Sequence, residues 1–173
     1  MQDAMKIEPF VMAAQRKEMI IWICGSPGSG KTTVAKALAK HLSFSEIVWL
    51  DGDEFRDIID DGLGFSLSDS KRNALRLAQM ALLLRRQNWG VIVSAVTLPE
   101  FVITALRSQS KLIVVELETR LSVRARRRPG LIEKAVYLPP VNTDLRIDND
   151  ADLIDFQPIV DQILKLWDER SHG

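Results

Sequence analysis

Nine consecutive residues have the composition of a loop that binds nucleotide phosphates. They are Gly25, Ser26, Pro27, Gly28, Ser29, Gly30, Lys31, Thr32 and Thr33, and the first eight match the pattern G-x-x-x-x-G-K-[ST]. Glycines let the backbone turn its N–H groups toward phosphate oxygens. We expect Lys31 to reach the β- and γ-phosphates of ATP and the Thr32 hydroxyl to ligate Mg²⁺. The alternative is a glycine turn that binds no ligand.

The residues on either side of the loop supply the elements that it needs. The apolar run from Met19 to Cys24 is short and β-branched, which is typical of a buried strand. From Thr32 onward, apolar residues recur at helical spacing. Strand, loop and helix therefore follow in the order that aims a helix N-terminus at the phosphates.

Further apolar runs alternate with helical patterns along the rest of the chain. Strands are predicted at residues 47–50, 91–95, 112–115 and 145–147. One helix is predicted through Ala74 and Leu84, with Ser66 and Asp69 forming a capping box at its start, and a last helix opens at Asp155 and Pro158. The pattern predicts an α/β three-layer sandwich with a mostly parallel five-stranded sheet, the fold of P-loop nucleoside triphosphate hydrolases and kinases.

Composition indicates a compact domain without a strong electrostatic bias. The 173 residues are 46% apolar and carry 23 basic and 23 acidic side chains. We therefore expect neither nucleic acid nor a membrane as partner.

Residues 1–18 are predicted to be an N-terminal extension, and residues 19–173 a single kinase domain. No signal peptide or transmembrane segment is recognised, so a cytoplasmic location is expected. Cys24, the only cysteine, is interpreted as a core residue.

Three polar residues follow predicted strands and should meet at one edge of the sheet. Asp51 and Asp53 follow the second strand, and Ser94 ends the third. Phosphoryl transfer needs a magnesium ligand and a carboxylate that orients or deprotonates the accepting hydroxyl. We predict that Asp53 is this base and that Asp51 and Ser94 lie near the metal with Thr32. The alternative is that one aspartate merely caps the helix expected at Glu54.

A longer series of motifs resembles the adenylylsulfate kinases. The series comprises 51–56 (DGDEFR), 63–66 (LGFS) with Asp69, Asn73, and 91–94 (VIVS) with Pro99. The resemblance implies transfer of the ATP γ-phosphate to the 3′-hydroxyl of adenylyl sulfate, with Asp53 as the catalytic carboxylate. It also implies that Arg56, Phe65 and Asn73 contact the nucleotide-like acceptor, and that the protein forms a homodimer.

The acceptor half departs from the family pattern in several places, including shorter segments at residues 97–100 and 128–132. Ser70 stands where the family has an arginine, and a segment carrying an aromatic residue is missing between Ala135 and Tyr137. Losing such contacts changes acceptor choice. Two alternatives therefore stay open: a kinase of the same scaffold with another hydroxylated acceptor, and a nucleotide-binding module without catalysis.

A basic cluster follows the fourth predicted strand. Its members are Arg124, Arg126, Arg127 and Arg128. A lid occupies this place in small P-loop kinases, so Arg126 or Arg127 is predicted to cover the ATP phosphates or stack on adenine. The alternative is a solvated helix face.

Overall fold

The computed structural model describes residues 19–42, 47–59, 62–130, 137–150 and 156–171. The predicted extension over residues 1–18 and the predicted helix-opening residue Asp155 lie outside these ranges. The strands are β1 (Met19–Gly25), β2 (Ile47–Asp51), β3 (Gly90–Ser94), β4 (Lys111–Glu118) and β5 (Leu145–Asp148). The helices are α1 (Lys31–His41), α2 (Gly52–Ile59), α3 (Leu67–Arg86), α4 (Glu100–Arg107), α5 (Leu121–Arg127) and α6 (Gln157–Ser171).

The five strands form one parallel sheet in the order β2-β3-β1-β4-β5. The central strand β1 pairs with β3 on one side and β4 on the other, and all seven of its residues are buried. The connection after β1 runs toward β2 and the connection after β3 runs back toward β4, so a crevice opens at the carboxyl ends of these two neighbouring strands. The predicted α/β fold with a mostly parallel five-stranded sheet is confirmed.

Each face of the sheet packs against helices, because alternate strand residues point to opposite sides. Ile21 and Ile23 join one core with residues of α1 and α6. Ile20, Trp22 and Cys24 join the other core with residues of α3 and α4. The sheet with a layer of helices on each face makes the three layers that the alternating pattern predicts. Burial, reinforced by the charge of Glu116, raises the pKa of Cys24 to about 12, in keeping with a core role for this thiol.

Two helix starts bear directly on the cavity described below. Ser66 caps α3 by accepting a hydrogen bond from the Asp69 backbone N–H at 3.1 Å, which confirms the Ser66 half of the predicted capping box, and its hydroxyl is 2.6 Å from Oδ2 of Asp69. Helix α2 begins at Gly52, two residues before the expected start at Glu54.

Among the helices that the structure describes, none combines the length and hydropathy needed to cross a bilayer.

Candidate active site

The glycine-rich loop connects β1 to α1 in a shape that side chains would prevent. Gly28 and Gly30 have φ angles of 80° and 95°, which favour glycine. A Cβ at Gly30 would also lie 2.7 Å from Nδ2 of Asn149. The Ser29 backbone N–H closes the turn by donating to the Ser26 carbonyl at 3.1 Å.

Two side chains from distant parts of the chain hold this loop. Asn149, which follows β5, donates through Nδ2 to the Ser29 carbonyl at 2.7 Å. Arg124 of α5 donates to the Pro27 carbonyl at 3.4 Å and to the Thr119 carbonyl at 3.1 Å. Asn149 carries no sequence motif and was not predicted to contribute to the site, and Arg124 was predicted only as a member of the basic cluster. These contacts fix the loop carbonyls, so its N–H groups stay available to an anion.

Lys31 lies at the start of α1, with its ammonium turned back toward the loop. Its Nζ donates to the Ser26 carbonyl at 2.9 Å. Burial lowers the pKa of Lys31 to about 8, although the nearby carboxylates of Asp53 and Asp51 act in the opposite direction. The protein thus keeps a poorly hydrated positive charge beside two negative ones, an arrangement that an anionic phosphate would stabilise further.

The side chains of Thr32, Asp51 and Ser94 form one hydrogen-bonded group. Oδ2 of Asp51 accepts from the Thr32 hydroxyl at 2.9 Å and from the Ser94 hydroxyl at 2.8 Å. Its Oδ1 accepts from the backbone N–H of Asp53 at 3.0 Å. Asp51 therefore caps α2 as well as joining the two hydroxyls, and the capping role considered in the sequence analysis belongs to it.

The oxygen atoms of this group suit a magnesium ion. Mg²⁺ binds through one or two carboxylates, hydroxyls and water, with substrate phosphates completing its shell. Thr32 and Ser94 supply hydroxyls and Asp51 supplies a carboxylate, all at the end of the phosphate loop. Within the described ranges, no set of three or more His, Cys, Asp or Glu side chains could hold a metal without such a substrate.

The predicted acceptor residues converge on α2 and α3. The guanidinium of Arg56 lies 4.9 Å from the centre of the Phe65 ring and donates to the Gly64 carbonyl. Asn73 is buried and donates through Nδ2 to the Gly52 carbonyl at 3.1 Å, which ties α3 to the start of α2. Asp53 lies exposed on the first turn of α2, three residues before Arg56.

One cavity of 470 Å³ joins the phosphate loop to the acceptor residues. The predicted residues in its wall are Pro27, Gly28, Gly30, Lys31, Thr32, Thr33, Asp51, Asp53, Arg56, Phe65, Asn73, Ser94 and Arg127. Gly25, Ser26, Ser29 and Arg126 do not line it. Gly25 is buried at the end of β1, and Ser26 and Ser29 turn their carbonyls to Lys31 and Asn149. Of the two candidate lid arginines, Arg127 borders the cavity and Arg126 is exposed elsewhere on α5.

Several wall residues were not assigned to the site from the sequence. They are Gly52, Asp57, Ala74, Ala95, Val96, Thr97 and Arg128. A signal existed for two of them, because Asp57 lies one helical turn after Asp53 and Ala74 adjoins Asn73. Thr97 is buried, and within the described part of the chain its hydroxyl has no hydrogen-bond partner.

Comparison with known proteins agrees with this geometry. The model of the adenylylsulphate kinase family matches residues 17–137. The adenylyl-sulfate kinase of Chloroflexus aurantiacus is 31% identical over 166 residues, which cover 86% of this chain and 88% of that protein. The match to the adenylyl-sulfate kinase of Myxococcus xanthus is 40% identical but confined to 79 residues, 45% of this chain and 43% of that protein.

A solved structure extends the comparison to the whole fold. The Mycobacterium tuberculosis APS kinase CysC, in complex with AMPPNP and APS, superimposes with a TM-score of 0.72 at 26% identity and covers 87% of this chain and 98% of that chain. The family match over residues 17–137 includes the phosphate loop, the aspartates after β2 and every residue that lines the cavity. With its motifs, strand order and cavity all accounted for in this way, the chain belongs to the adenylylsulphate kinase family.

Proposed function

We propose that this protein transfers the γ-phosphate of ATP to the 3′-hydroxyl of adenylyl sulfate. The observation that carries the proposal is the single cavity, in which Lys31 and Thr32 share a wall with Asp53, Arg56 and Phe65. A donor and an acceptor nucleotide bound there would meet at Asp53. Membership of the adenylylsulphate kinase family and the similarity to CysC, solved with AMPPNP and APS, support the same assignment.

On the donor side, the chain binds and orients the triphosphate. The loop N–H groups hold phosphate oxygens, and the Lys31 ammonium leaves the Ser26 carbonyl to contact the β- and γ-phosphates. Thr32, Asp51 and Ser94 would hold magnesium, which would neutralise charge on the phosphate oxygens. Arg127, which also borders the cavity, covers the phosphates.

On the acceptor side, Asp53 prepares the hydroxyl for attack. The acceptor hydroxyl gives its proton to the Asp53 carboxylate as its oxygen bonds to the γ-phosphorus, and the bond from that phosphorus to the ADP oxygen breaks. The Lys31 charge stabilises the negative charge that moves onto the leaving oxygen. Arg56, Phe65 and Asn73 fix the acceptor so that its hydroxyl faces Asp53.

A second candidate keeps the same chemistry with another hydroxylated acceptor. Ser70 is 6% exposed and lies in the cavity wall. The position at which the family pattern has an arginine therefore contributes only a short hydroxyl here. A guanidinium binds anionic groups bidentately, and a serine does not. An acceptor with fewer anionic groups than adenylyl sulfate would fit this wall better.

An ADP-release assay separates the two candidates. The protein is incubated with ATP and Mg²⁺ and with adenylyl sulfate, a nucleotide sugar, a sugar acid or no acceptor. Release above the no-acceptor background with adenylyl sulfate alone supports the first candidate, and release with another acceptor alone supports the second. Background release with every acceptor, together with calorimetric binding of ATP, supports a binding module without catalysis.

The role of Asp53 has its own test. Asp53→Ala should keep the affinity for AMPPNP while losing ADP release with the true acceptor, because the loop and Lys31 hold the phosphates. Glu54→Gln is the matched control, since Glu54 is the next residue on the same exposed turn. Equal loss of AMPPNP affinity and turnover in Asp53→Ala would contradict the assigned role.

Three further expectations stay predictions of this proposal. They are the division into an extension over residues 1–18 and a kinase domain over residues 19–173, a cytoplasmic location, and a homodimer. The first can be tested by limited proteolysis, and the last by sedimentation of the purified protein.

A further inference from the structure

Trp49 makes a contact that its place in a strand did not predict. It lies on β2, two residues before Asp51, and packs half-buried against the core beneath α1. Its indole Nε1 donates a hydrogen bond to the Ser94 hydroxyl oxygen at 3.0 Å. Asp51 and Ser94 are register partners across β2 and β3. Through Ser94, Trp49 therefore contacts the hydrogen-bonded group of Thr32, Asp51 and Ser94.

The donors and acceptors in this chain of contacts have only one consistent arrangement. An indole N–H can only donate, a carboxylate can only accept, and a serine hydroxyl has one proton. Because Ser94 accepts from Trp49, its own proton must go to Oδ2 of Asp51, 2.8 Å away. The Thr32 hydroxyl also donates to Oδ2, at 2.9 Å, which leaves its lone pairs for a cation.

We propose that Trp49 is a positioning residue for the magnesium site, which acts by fixing the direction of the Ser94 hydroxyl. Without the indole N–H, the Ser94 hydroxyl can rotate freely about its Cβ–Oγ bond. Oδ2 of Asp51 then loses a donor of fixed direction. Asp51 and Thr32 then have to be ordered when the metal arrives. This inference rests on the proposed function, because it assigns Thr32, Asp51 and Ser94 to magnesium.

The chain contains a matched control in Trp22. This tryptophan also lies in a strand and is fully buried, but within the described residues its Nε1 has no hydrogen-bond partner. Trp22→Phe and Trp49→Phe remove the same atoms from the same sheet. A role confined to packing would make Trp22→Phe the more damaging change, because Trp22 is the more deeply buried residue.

The first experiment measures metal binding and not turnover. Mn²⁺ is titrated into the protein with saturating AMPPNP, and free Mn²⁺ is followed by electron paramagnetic resonance. Losing one hydrogen bond to an ordered group should weaken Mn²⁺ binding about three- to tenfold in Trp49→Phe. Trp22→Phe should lower the melting temperature and leave Mn²⁺ affinity unchanged.

A double-variant cycle then tests whether Trp49 acts through Ser94. Trp49→Phe should weaken Mn²⁺ binding less than about twofold when Ser94 is already alanine, because the hydroxyl that it orients is gone. In wild-type protein the Trp49 indole proton resonance, identified by its loss in Trp49→Phe, should move upfield in Ser94→Ala. This second reading requires no metal.

The outcomes separate this inference from the proposed function. If wild type binds Mn²⁺ with AMPPNP but Trp49→Phe binds it equally well, the positioning role is overturned while the magnesium site stands. The positioning role is likewise overturned if Trp49→Phe weakens binding equally in both backgrounds, or if the indole resonance does not respond to Ser94→Ala. If wild type binds no Mn²⁺ with AMPPNP, the magnesium site and the inference both fail.

Discussion

Replacing Lys31 by methionine should make the nucleotide-free protein more stable at neutral pH. Methionine is about as long as lysine and needs no hydration. The pKa of Lys31 falls from 10.5 to about 8, and each pKa unit is worth roughly 1.4 kcal/mol, so the charged side chain costs the folded protein about 3 kcal/mol. Losing the hydrogen bond to the Ser26 carbonyl offsets about 1 kcal/mol of this. A net gain of about 2 kcal/mol is expected at pH 7.

The gain should disappear in a defined pH window. Below about pH 8, Lys31 is charged in both the folded and the unfolded chain, so the full penalty applies. Between about pH 8 and 10.5, the unfolded chain keeps the proton that the folded protein has lost. The stability of wild type therefore rises relative to Lys31→Met as the pH rises through this window. Above 10.5 the penalty is absent, and Lys31→Met should be less stable by about the lost hydrogen bond.

Urea unfolding at pH 7, 8.5 and 10 measures this change. At pH 7 the gain corresponds to roughly 4–8 °C in melting temperature for a chain of this size. Lys36→Met is the matched control, because Lys36 is exposed on the same helix and should change stability by less than about 0.5 kcal/mol. Mg²⁺ with AMPPNP should stabilise wild type and Lys36→Met far more than Lys31→Met. The reasoning is refuted if Lys31→Met is destabilised at pH 7, or if its difference from wild type is the same at every pH.

Three further substitutions have defined outcomes. Gly30→Ala should lower the free energy of urea unfolding by about 1–3 kcal/mol and abolish stabilisation by AMPPNP. The reason is that the φ of 95° and the nearby Asn149 amide leave no room for a Cβ. Wild-type behaviour of this variant would contradict the loop geometry. Asp51→Ala should lower the free energy of unfolding by about 1 kcal/mol, because the cap of α2 is lost. Asp51→Asn should keep the cap but bind Mn²⁺ with AMPPNP at least tenfold more weakly. Equal metal binding in Asp51→Asn and wild type would argue against a metal role. Glu116→Ala should lower the free energy of unfolding by about 1–3 kcal/mol, because it leaves the Tyr137 hydroxyl without its acceptor, whereas Arg146, whose side chain is 56% exposed, loses little. Glu116→Gln should recover part of that loss, and an unchanged free energy of unfolding in Glu116→Ala would contradict a stabilising role for this carboxylate.

Local patterns were sufficient to predict the strands, the phosphate loop and the edge of the sheet where the site lies. Each depends on a short run of sequence: an apolar run for β1, glycines for the loop, and carboxylates directly after β2. Helix α4 was not predicted, although Val102, Ile103 and Leu106 have helical spacing. Its apolar residues occupy only two turns after Pro99, a length at which periodicity is weak.

The remaining differences arise from orientation and from contacts between distant residues. Helix α5 has only seven residues, so a shift of one position along it moves a side chain by about 100° and decides whether Arg126 or Arg127 borders the cavity. Trp49 lies in the apolar run predicted as the strand over residues 47–50, and the hydrophobic pattern is right about its ring, which packs against the core. The pattern carries no information about its N–H, because the partner Ser94 is 45 residues away.

The supports of the phosphate loop have a consequence for how the protein acquires its activity during folding. Arg124 and Asn149 reach the loop from 97 and 120 residues away along the chain. Contacts of such long range require the whole intervening chain, and closing loops of this length has an entropic cost that slows their formation. A nascent chain that ends before β4 would carry the whole glycine motif and still lack a formed phosphate site. The loop should therefore reach its final geometry only once β5 and the Asn149 that follows it have been made.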